Sequence, residues 1–376
     1  MRIAILTNII PTYRRGFYQR LITDESIDFK VFCQDSIKGV NVKSIHQEFI
    51  SNVTLIKTWA ISGEKLVWQR LPYFELFRNY DIIVVDGNPR IVSQALFATL
   101  AKFLGKKIVI WSMAHSSHNN SFSENIRLFW WRYFDYFLMY NELDIVKLKQ
   151  SGIKGLIMLA INNGLDQRDI DNNILKWPDE KLENWQKTQQ IKGKIVLLSS
   201  GRLTQNKFLD MFYALPKLLE HNPNIHWCII GEGIGKKNLE TLAENLNILK
   251  NITFIGELYD EEQLAPWFLS ATIFVHPAAI GLSILHSFGY GLPIITYNNS
   301  LFHGPEFVVF EEGKTGLLYT KNDPNDLSEK ILKLLLETGR IKEMNTYVKK
   351  IAQYKYNVDL MKENFIKMIS SIDSEL

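Results

Sequence analysis

Hydrophobic residues along the chain fall into short continuous runs, and amphipathic stretches separate these runs. Apolar runs of this kind are typical of parallel strands that are buried on both faces, with helices as the covering layers. In the first half the runs predict strands at Arg2–Thr7, Asp28–Cys33, Asp81–Val85, Lys107–Trp111, Tyr136–Tyr140 and Gly155–Ala160. The amphipathic stretches predict helices at Gly16–Ile22, Val92–Leu104, Glu124–Phe134 and Asp144–Ser151.

The same alternation starts again after a polar stretch. It predicts strands at Lys194–Ser199, His226–Ile230, Ile252–Ile255, Thr272–Val275 and Pro293–Thr296. It predicts helices at Asp210–Glu220, Lys236–Asn245, Glu261–Ser270, Ser283–Tyr290, Asn325–Glu337 and Asp359–Ile372. Because residues 166–193 are polar and lack apolar periodicity, we interpret them as a connector on the surface.

These patterns divide the 376 residues into two domains. We expect an N-terminal Rossmann-like domain at 1–165 and a C-terminal one at 194–358, with a final helix at about 359–376 that packs back on the first domain. The predicted fold class is α/β, with two doubly wound domains that face each other across a cleft. Ligands bind such sheets at the carboxyl ends of the strands.

Charge and cysteine use refine this picture. Residues 1–165 carry 20 Lys and Arg against 13 Asp and Glu, whereas the whole chain has a net charge of only +3. A basic first domain fits an anionic neighbour, either a membrane surface or a phosphate-bearing acceptor, although a plain solvated surface is the alternative. Cys33 and Cys228 lie in different halves inside predicted strands, which fits free thiols in a reducing cytoplasm. No nucleic-acid partner is expected.

The segment from Leu264 to Pro305 contains no Asp, Glu, Lys or Arg and is long enough to suggest a membrane span. Proline and glycine residues interrupt it repeatedly, for example at Pro277, Gly281 and Pro293. We therefore interpret it as a buried α/β core beside a ligand.

The most informative motif follows the first strand of the second domain. Gly201-Arg202-Leu203 and Lys207 place two cations in a loop that begins with glycine. An arginine fork and a lysine point charge together suit a diphosphate, whereas two solvated cations are the structural alternative. A second feature is Gly281-Leu282-Ser283 at the start of a predicted helix, where free amides also suit a phosphate. A tight turn without a ligand is the alternative there.

Other patterns carry less information. Gly231-Glu232-Gly233-Ile234-Gly235 lacks the third glycine of a dinucleotide loop. Asp169-Ile170-Asp171 has the form of a metal-binding motif but lies in the polar connector, and no His or Cys residues have zinc spacing. The aromatic stretch Phe129–Tyr133, together with Arg127, fits either a core helix or contact with a membrane interface.

Taken in order, the motifs resemble retaining GT-B glycosyltransferases of family 4, the bacterial enzymes that build capsules, exopolysaccharides and lipopolysaccharides. Gly201-Arg202-Leu203 with Lys207 resembles the diphosphate clamp of that family, and Asn162-Asn163-Gly164-Leu165-Asp166 is similar to the signature that ends its first domain. The remaining matches are Thr7–Arg14, Ser112-Met113-Ala114-His115-Ser116, Gly304-Pro305-Glu306 and Gly313-Lys314-Thr315-Gly316.

The resemblance implies transfer of a hexose from a nucleotide-diphosphate sugar to a glycan or lipid-linked saccharide, with retention of configuration and without a metal or cofactor. The two free thiols indicate a cytoplasmic location, and the basic first domain fits a peripheral position at the inner face of the plasma membrane. The resemblance implies catalytic roles for His115, Arg202 and Lys207. It implies donor binding by Gly201, Gly281, Leu282, Ser283, His286 and Glu306. It implies acceptor-side roles for Asn8, Tyr13, Arg14 and Arg90.

One departure bears on the activity. Family members carry two glutamates at positions where this chain has Ala278 and His286. Retaining transfer depends on positioning and charge stabilisation, so their loss is compatible with turnover, and His286 can still hydrogen-bond a ribose hydroxyl. The alternatives are a sugar-nucleotide epimerase or hydrolase of the same fold and a catalytically silent protein that binds nucleotides or glycans.

Overall fold

The computed structural model describes residues 1–36, 44–61, 66–114, 121–299 and 302–374. The chain divides into two compact units. Met1–Asp166 and Tyr356–Leu376 form unit 1, and Gln167–Lys355 form unit 2. Each unit contains a parallel sheet with helices on both faces, so the predicted α/β class is confirmed.

Unit 1 is built on a seven-stranded parallel sheet of order β3-β2-β1-β6-β7-β8-β9, with a separate β4-β5 hairpin. Its strands are β1 (Arg2–Leu6), β2 (Asp28–Cys33), β3 (Val53–Leu55), β4 (Thr58–Ile61), β5 (Leu66–Gln69), β6 (Ile82–Asp86), β7 (Lys107–Ser112), β8 (Tyr136–Met139) and β9 (Ile157–Ala160). Its first five helices are α1 (Arg15–Ile22), α2 (Tyr73–Asn79), α3 (Val92–Phe103), α4 (Ser121–Trp131) and α5 (Glu142–Gln150).

Alternate residues of the unit 1 strands supply two separate hydrophobic cores. Ala4 and Leu6 of β1 belong to the core on one face, whereas Ile3 and Ile5 belong to the core on the other. This alternation explains why β1 is apolar at every position from Ile3 to Leu6. The order of the sheet reverses at β1, and the carboxyl ends of β1 and β6 therefore form a switch point at which ligands commonly bind.

Unit 2 has a six-stranded parallel sheet of order β12-β11-β10-β13-β14-β15. Its strands are β10 (Ile195–Ser200), β11 (Ile225–Ile230), β12 (Ile252–Gly256), β13 (Ala271–His276), β14 (Ile294–Tyr297) and β15 (Gly316–Tyr319). Its helices are α6 (Gln167–Leu175), α7 (Asp179–Thr188), α8 (Leu209–His221), α9 (Lys236–Asn245), α10 (Glu261–Ser270), α11 (Ser283–Gly289), α12 (Pro324–Leu336) and α13 (Thr338–Tyr354). The switch point of this sheet lies between β10 and β13.

The last helix, α14 (Val358–Asp373), is part of unit 1 and packs against α1. Its apolar side chains recur at helical spacing and join the core that contains Ile3 and Ile5. Arg20 of α1 fixes the helix further, because its guanidinium binds both Asp166 at 2.8 Å and Asp359 at 2.7 Å.

The prediction of a surface connector at 166–193 was wrong. These residues form α6 and α7 within unit 2, both helices pack against α10, and Ile170 is buried. Their polar composition reflects largely exposed helix faces, which weakens the apolar periodicity on which the prediction depended. Unit 2 also ends at Lys355 rather than at residue 358. Asp171 of the formal metal motif pairs with Lys349 at 2.6 Å.

The uncharged segment from Leu264 to Pro305 contributes α10, β13, α11 and β14 to the core of unit 2. Within the described ranges, no helix combines the length and the apolar character that a membrane crossing requires. Cys33 and Cys228 are buried free thiols in β2 and β11.

Candidate functional site

Two loops leave the unit 2 sheet at its switch point. One follows β10 and contains Arg202 and Lys207, and the other follows β13 and leads to α11. Because β10 and β13 are neighbouring parallel strands, both loops start at the same edge of the sheet. The sequence-predicted diphosphate clamp and the predicted amide cluster therefore belong to the same edge of unit 2.

Lys207 is a half-buried cation in the first of these loops. A Cβ atom on Gly201 would lie 3.3 Å from its Nζ, so the ammonium group rests directly over this glycine. Burial lowers the pKa of Lys207 to about 8. Neither the ammonium group of Lys207 nor the guanidinium group of the exposed Arg202 forms a hydrogen bond or ion pair with any described residue. A desolvated ammonium without a counter-ion favours the binding of an anion.

Glycines beneath this loop explain how its backbone is held. The turn 231–235 lies against it, and the amides of Leu203 and Gly235 hydrogen-bond to Glu232 and Leu203 carbonyls at 2.9 and 3.0 Å. A Cβ on Gly233 would lie 2.2 Å from the Leu203 carbonyl oxygen, and φ at Gly233 is +156°. The Gly-rich turn that resembles a dinucleotide loop is thus a close-packed support for the loop that carries Arg202 and Lys207.

His276 ends β13 and is fully buried next to this loop. Burial, followed by the charge of Lys207, lowers the pKa of His276 well below its ordinary value, so the ring is neutral. Its Nε2 lies 3.2 Å from the Ala279 carbonyl oxygen, whereas its Nδ1 has no partner among the described residues. A neutral ring lets His276 sit near Lys207 without repelling it.

The second loop brings Gly281 next to Glu306. A Cβ on Gly281 would lie 3.7 Å from a carboxylate oxygen of the buried Glu306. His303 fixes the loop, because its Nδ1 accepts from the Ile280 amide at 3.1 Å and its Nε2 donates to the Tyr297 carbonyl at 3.0 Å. Helix α11 follows directly, and its first amides at Leu282 and Ser283 have no partner within the helix.

His286 lies on α11 and interacts with an acidic group that the sequence analysis missed. Its Nε2 is 2.8 Å from an oxygen of Glu261, and the Tyr290 hydroxyl donates to the same oxygen at 2.5 Å. Burial raises the pKa of Glu261, but His286 and Tyr290 more than offset this effect and lower it. One ring nitrogen of His286 is therefore already engaged, and a carboxylate lies beside the position at which the chain departs from the family pattern.

Unit 1 has a cavity of about 460 Å³ at the carboxyl ends of β1, β6 and β7. All four residues that the sequence analysis assigned to the acceptor side line it, namely Asn8, Tyr13, Arg14 and Arg90. The structure therefore brings together residues that are as far apart in sequence as Asn8 and Arg90. A volume of this size is typical of small-molecule sites.

The same cavity has two charged residues that the sequence analysis did not assign to it, Asp86, which it did not single out, and Arg127, which it grouped with the aromatic stretch Phe129–Tyr133. Burial raises the pKa of Asp86 to about 6, and this effect exceeds the lowering by the Asn88 amide and by Arg127. Arg127 is buried and donates to the Ala114 carbonyl at 2.6 Å. Asp86 directly follows the apolar run of β6, in the way that Asn8 follows β1, so strand-end position was the available signal.

Comparison with known proteins finds a family match within unit 2. Residues 181–353 match the family model described as glycosyl transferases group 1. This range contains the Arg202 and Lys207 loop, the turn 231–235 and α11. Most of unit 2 is therefore similar to group 1 glycosyl transferases.

Two curated proteins show the extent of the similarity. The poly(ribitol-phosphate) alpha-N-acetylglucosaminyltransferase of Staphylococcus aureus is 23% identical over 226 residues, which is 58% of this chain. The match covers 44% of that relative, so the chain spans less than half of its length. An uncharacterized glycosyltransferase of Methanocaldococcus jannaschii is 23% identical over 96% of this chain and 95% of its own length.

The solved structure of Anabaena HepE in complex with UDP superposes with a TM-score of 0.74 at 15% identity. The alignment covers 99% of this chain and 100% of HepE. The overall fold is therefore GT-B, as the sequence analysis predicted.

The sequence-predicted catalytic residue His115 lies outside the described residues, and its role stays a prediction. In the described part of the chain, no three His, Cys, Asp or Glu side chains cluster closely enough to hold a metal ion. Ala278 packs against the core of unit 2, so this position contributes no polar side chain to the site.

The pKa of Lys207 gives a pH prediction for this domain. A lysine with a pKa of about 8 is mostly protonated at pH 7 and mostly neutral at pH 9. Because only the protonated form attracts a diphosphate, the affinity for a nucleotide-diphosphate sugar should fall about tenfold between these two pH values. Isothermal titration calorimetry at both pH values measures this change. The Lys207→Arg variant should lose most of the pH dependence, and an equal dependence in both proteins would contradict the assignment.

Proposed function

We propose that the protein transfers a hexose from a nucleotide-diphosphate sugar to a hydroxyl group of a glycan or lipid-linked saccharide, with retention of configuration. The observation that carries the proposal is Lys207, a desolvated cation without a counter-ion among the described residues, in a group 1 glycosyltransferase domain. The proposed reaction needs no metal ion or other cofactor, since lysine and arginine supply the positive charge that the diphosphate requires.

In this proposal the bond between the sugar C1 and the diphosphate oxygen breaks while C1 bonds to the acceptor oxygen. The departing diphosphate takes the acceptor proton, and Lys207 and Arg202 stabilise the negative charge that develops on it. Such charge stabilisation is most effective for Lys207, because it lies in a water-poor environment. In this proposal Glu306, which lies beside Gly281, accepts hydrogen bonds from the donor sugar.

UDP is the first nucleotide to test, because HepE was solved in complex with it. A surface polymer is the first class of acceptor to test, since the Staphylococcus aureus relative is named as acting on poly(ribitol-phosphate). The other two proposals for the activity, an epimerase or hydrolase and a silent binding protein, share the nucleotide site. The silent protein is favoured by one observation, the absence of a carboxylate at Ala278 and His286.

Thermal shift against UDP, GDP, ADP, dTDP and their sugars tests the donor site. A ligand at about a hundred times its dissociation constant adds roughly 2.7 kcal/mol of stability. For a unit of this size, this corresponds to a rise in melting temperature of about 5–10 °C. If none of these nucleotides shifts the melting temperature, the donor-site proposal fails.

We also propose a peripheral membrane contact through unit 1. One stripe of α3 exposes three large apolar side chains to solvent, Leu96, Leu100 and Phe103, and Leu104 at the C-cap of the helix is exposed beside them. The neighbouring α4 is hydrogen-bonded to α3 from Trp130 to Thr99 at 2.9 Å and exposes Phe129, and Tyr133 just after the helix is exposed as well. Trp131 of the same helix is fully buried, so α4 is a core helix on one face and an exposed apolar helix on the other.

Replacing Leu100 and Phe103 by Ser should reduce binding to vesicles of anionic phospholipid by about tenfold, because two large apolar groups no longer enter the interface. Vesicle co-sedimentation measures the bound fraction. The matched control is Leu175→Ser on α6 of unit 2, whose side chain is 80% exposed. Equal loss of vesicle binding in the control, or no loss in the double variant, would contradict the proposed membrane contact.

A further inference from the structure

Arg14 is a buried arginine in the wall of the unit 1 cavity, and its surroundings do not neutralise it. The residue is only 6% exposed. The one hydrogen bond that its side chain makes to a described residue runs from Nη1 to the thioether sulfur of Met361 at 3.1 Å. No carboxylate of the described residues lies within ion-pair distance of it. A thioether is a weak acceptor, so most of the five N–H donors of this guanidinium have no strong partner.

Aromatic rings hold the guanidinium in place. Its central carbon lies 5.2 Å from the ring centroid of Trp111, 5.5 Å from that of Tyr13 and 5.8 Å from that of Tyr140. Cation–π contacts of this kind orient the planar fork and recover only part of the hydration that arginine loses on burial. The arrangement is therefore rigid, desolvated and positively charged.

The acidic group of the cavity does not neutralise Arg14 either. The charges and hydrogen bonds that act on Asp86 come from Arg127 and the Asn88 amide, and Arg14 is not among them. Arg127 in turn interacts with Glu124, Asp144 and Asp86. The charges thus separate into a group around Arg127, which contains three carboxylates, and the guanidinium of Arg14, which forms an ion pair with none of the described carboxylates.

From this geometry we propose that the cavity binds a saccharide that carries an oxyanion, a phosphate or a carboxylate group, and that Arg14 holds this oxyanion. A guanidinium fork matches both groups with two parallel hydrogen bonds. The aromatic rings beside it offer apolar faces to the sugar ring, and the cavity of about 460 Å³ has room for a charged monosaccharide unit. This inference rests on the proposed function in one respect, since it names the acceptor as an anionic glycan.

Calorimetric titration of the full-length protein with glucose 6-phosphate, glucuronate and glucose tests the proposal. Saturating UDP is added so that the phosphate sugar does not enter the donor site. At least one of the two anionic sugars should bind the wild type about 10- to 100-fold more tightly than glucose binds. The titrations with glucose 6-phosphate and with glucuronate distinguish a phosphate ligand from a carboxylate ligand. If neither anionic sugar binds more tightly than glucose, the proposal is wrong.

Two variants test whether Arg14 is the residue that causes the preference for anionic sugars. Arg14→Met keeps the apolar volume and should lose the preference for the anionic sugar, whereas Arg15→Gln should keep it, because Arg15 pairs with Glu48 at 2.7 Å on the surface. The melting temperature of Arg14→Met should not fall, since an uncompensated buried charge is removed. A lower melting temperature together with an unchanged preference would show that Arg14 is structural. If UDP itself does not bind, titration without UDP still tests this subsite independently.

Discussion

Replacing Lys207 by Ala should lower kcat/KM for sugar transfer by about 10²- to 10³-fold. Lys207 acts in a desolvated position, where removing one charged donor from a developing anion has effects of this size. Arg202→Ala should have a smaller effect, about tenfold, because this side chain is exposed and water replaces part of its charge. Release of the nucleotide diphosphate in a coupled assay measures both variants.

The matched control is Lys217→Ala. Lys217 lies in the same unit and forms an exposed ion pair with Glu329 at 3.3 Å, so its loss should change neither transfer nor stability measurably. The two lysine variants therefore differ in position and not in the charge removed. Near-normal activity of Lys207→Ala would show that this lysine does not contact the diphosphate.

Replacing Gly233 by Ala should destabilise unit 2 and displace the loop that carries Arg202 and Lys207. The new Cβ would lie 2.2 Å from the Leu203 carbonyl oxygen, and this oxygen is backbone and cannot move aside alone. The backbone at Gly233 also has a φ of +156°, which L-residues rarely adopt. We expect a loss of about 3 kcal/mol, seen as a melting temperature lowered by roughly 6–12 °C, together with weaker UDP binding.

Substitutions at two other glycines separate backbone strain from close packing as causes of the expected destabilisation. Gly193→Ala introduces a Cβ at a φ of +76° with no atom within 4 Å, so it should cost only about 1 kcal/mol of backbone strain. Gly339→Ala lies in α13 with open space around it and should be neutral or slightly stabilising. If Gly233→Ala behaves like Gly193→Ala, close packing against Leu203 is not what fixes the loop.

The sequence patterns predicted the alternating core of both units because buried parallel strands are continuous apolar runs. β2, α9 and α10 match their predicted ranges at both ends. The patterns failed where an element buries only a narrow stripe. α6 and α7 are mostly polar at the surface, and the β4-β5 hairpin of unit 1 is largely exposed. The apolar residues of these elements therefore do not recur at a clear helical or strand period.

The site was predictable only in part. Glycine, arginine and lysine next to strand ends were visible in the sequence, and the structure places Gly201 and Lys207 in contact. The pairing of Glu261 with His286 depends on the packing of α10 against α11, and spacing along the chain does not encode it. The uncompensated charge of Arg14 depends on which carboxylates are absent around it, which is also a property of the folded unit.

In the proposed reaction this protein breaks the bond between a sugar and a nucleotide diphosphate with retention. Proton NMR of the protein incubated with UDP-glucose, with water as the only acceptor, tests this proposal. We expect slow release of free UDP and, as the first-formed sugar, α-glucose, with both signals lost in Lys207→Ala. UDP-glucose that stays intact while bound, or appearance of a different sugar epimer still attached to UDP, would contradict it.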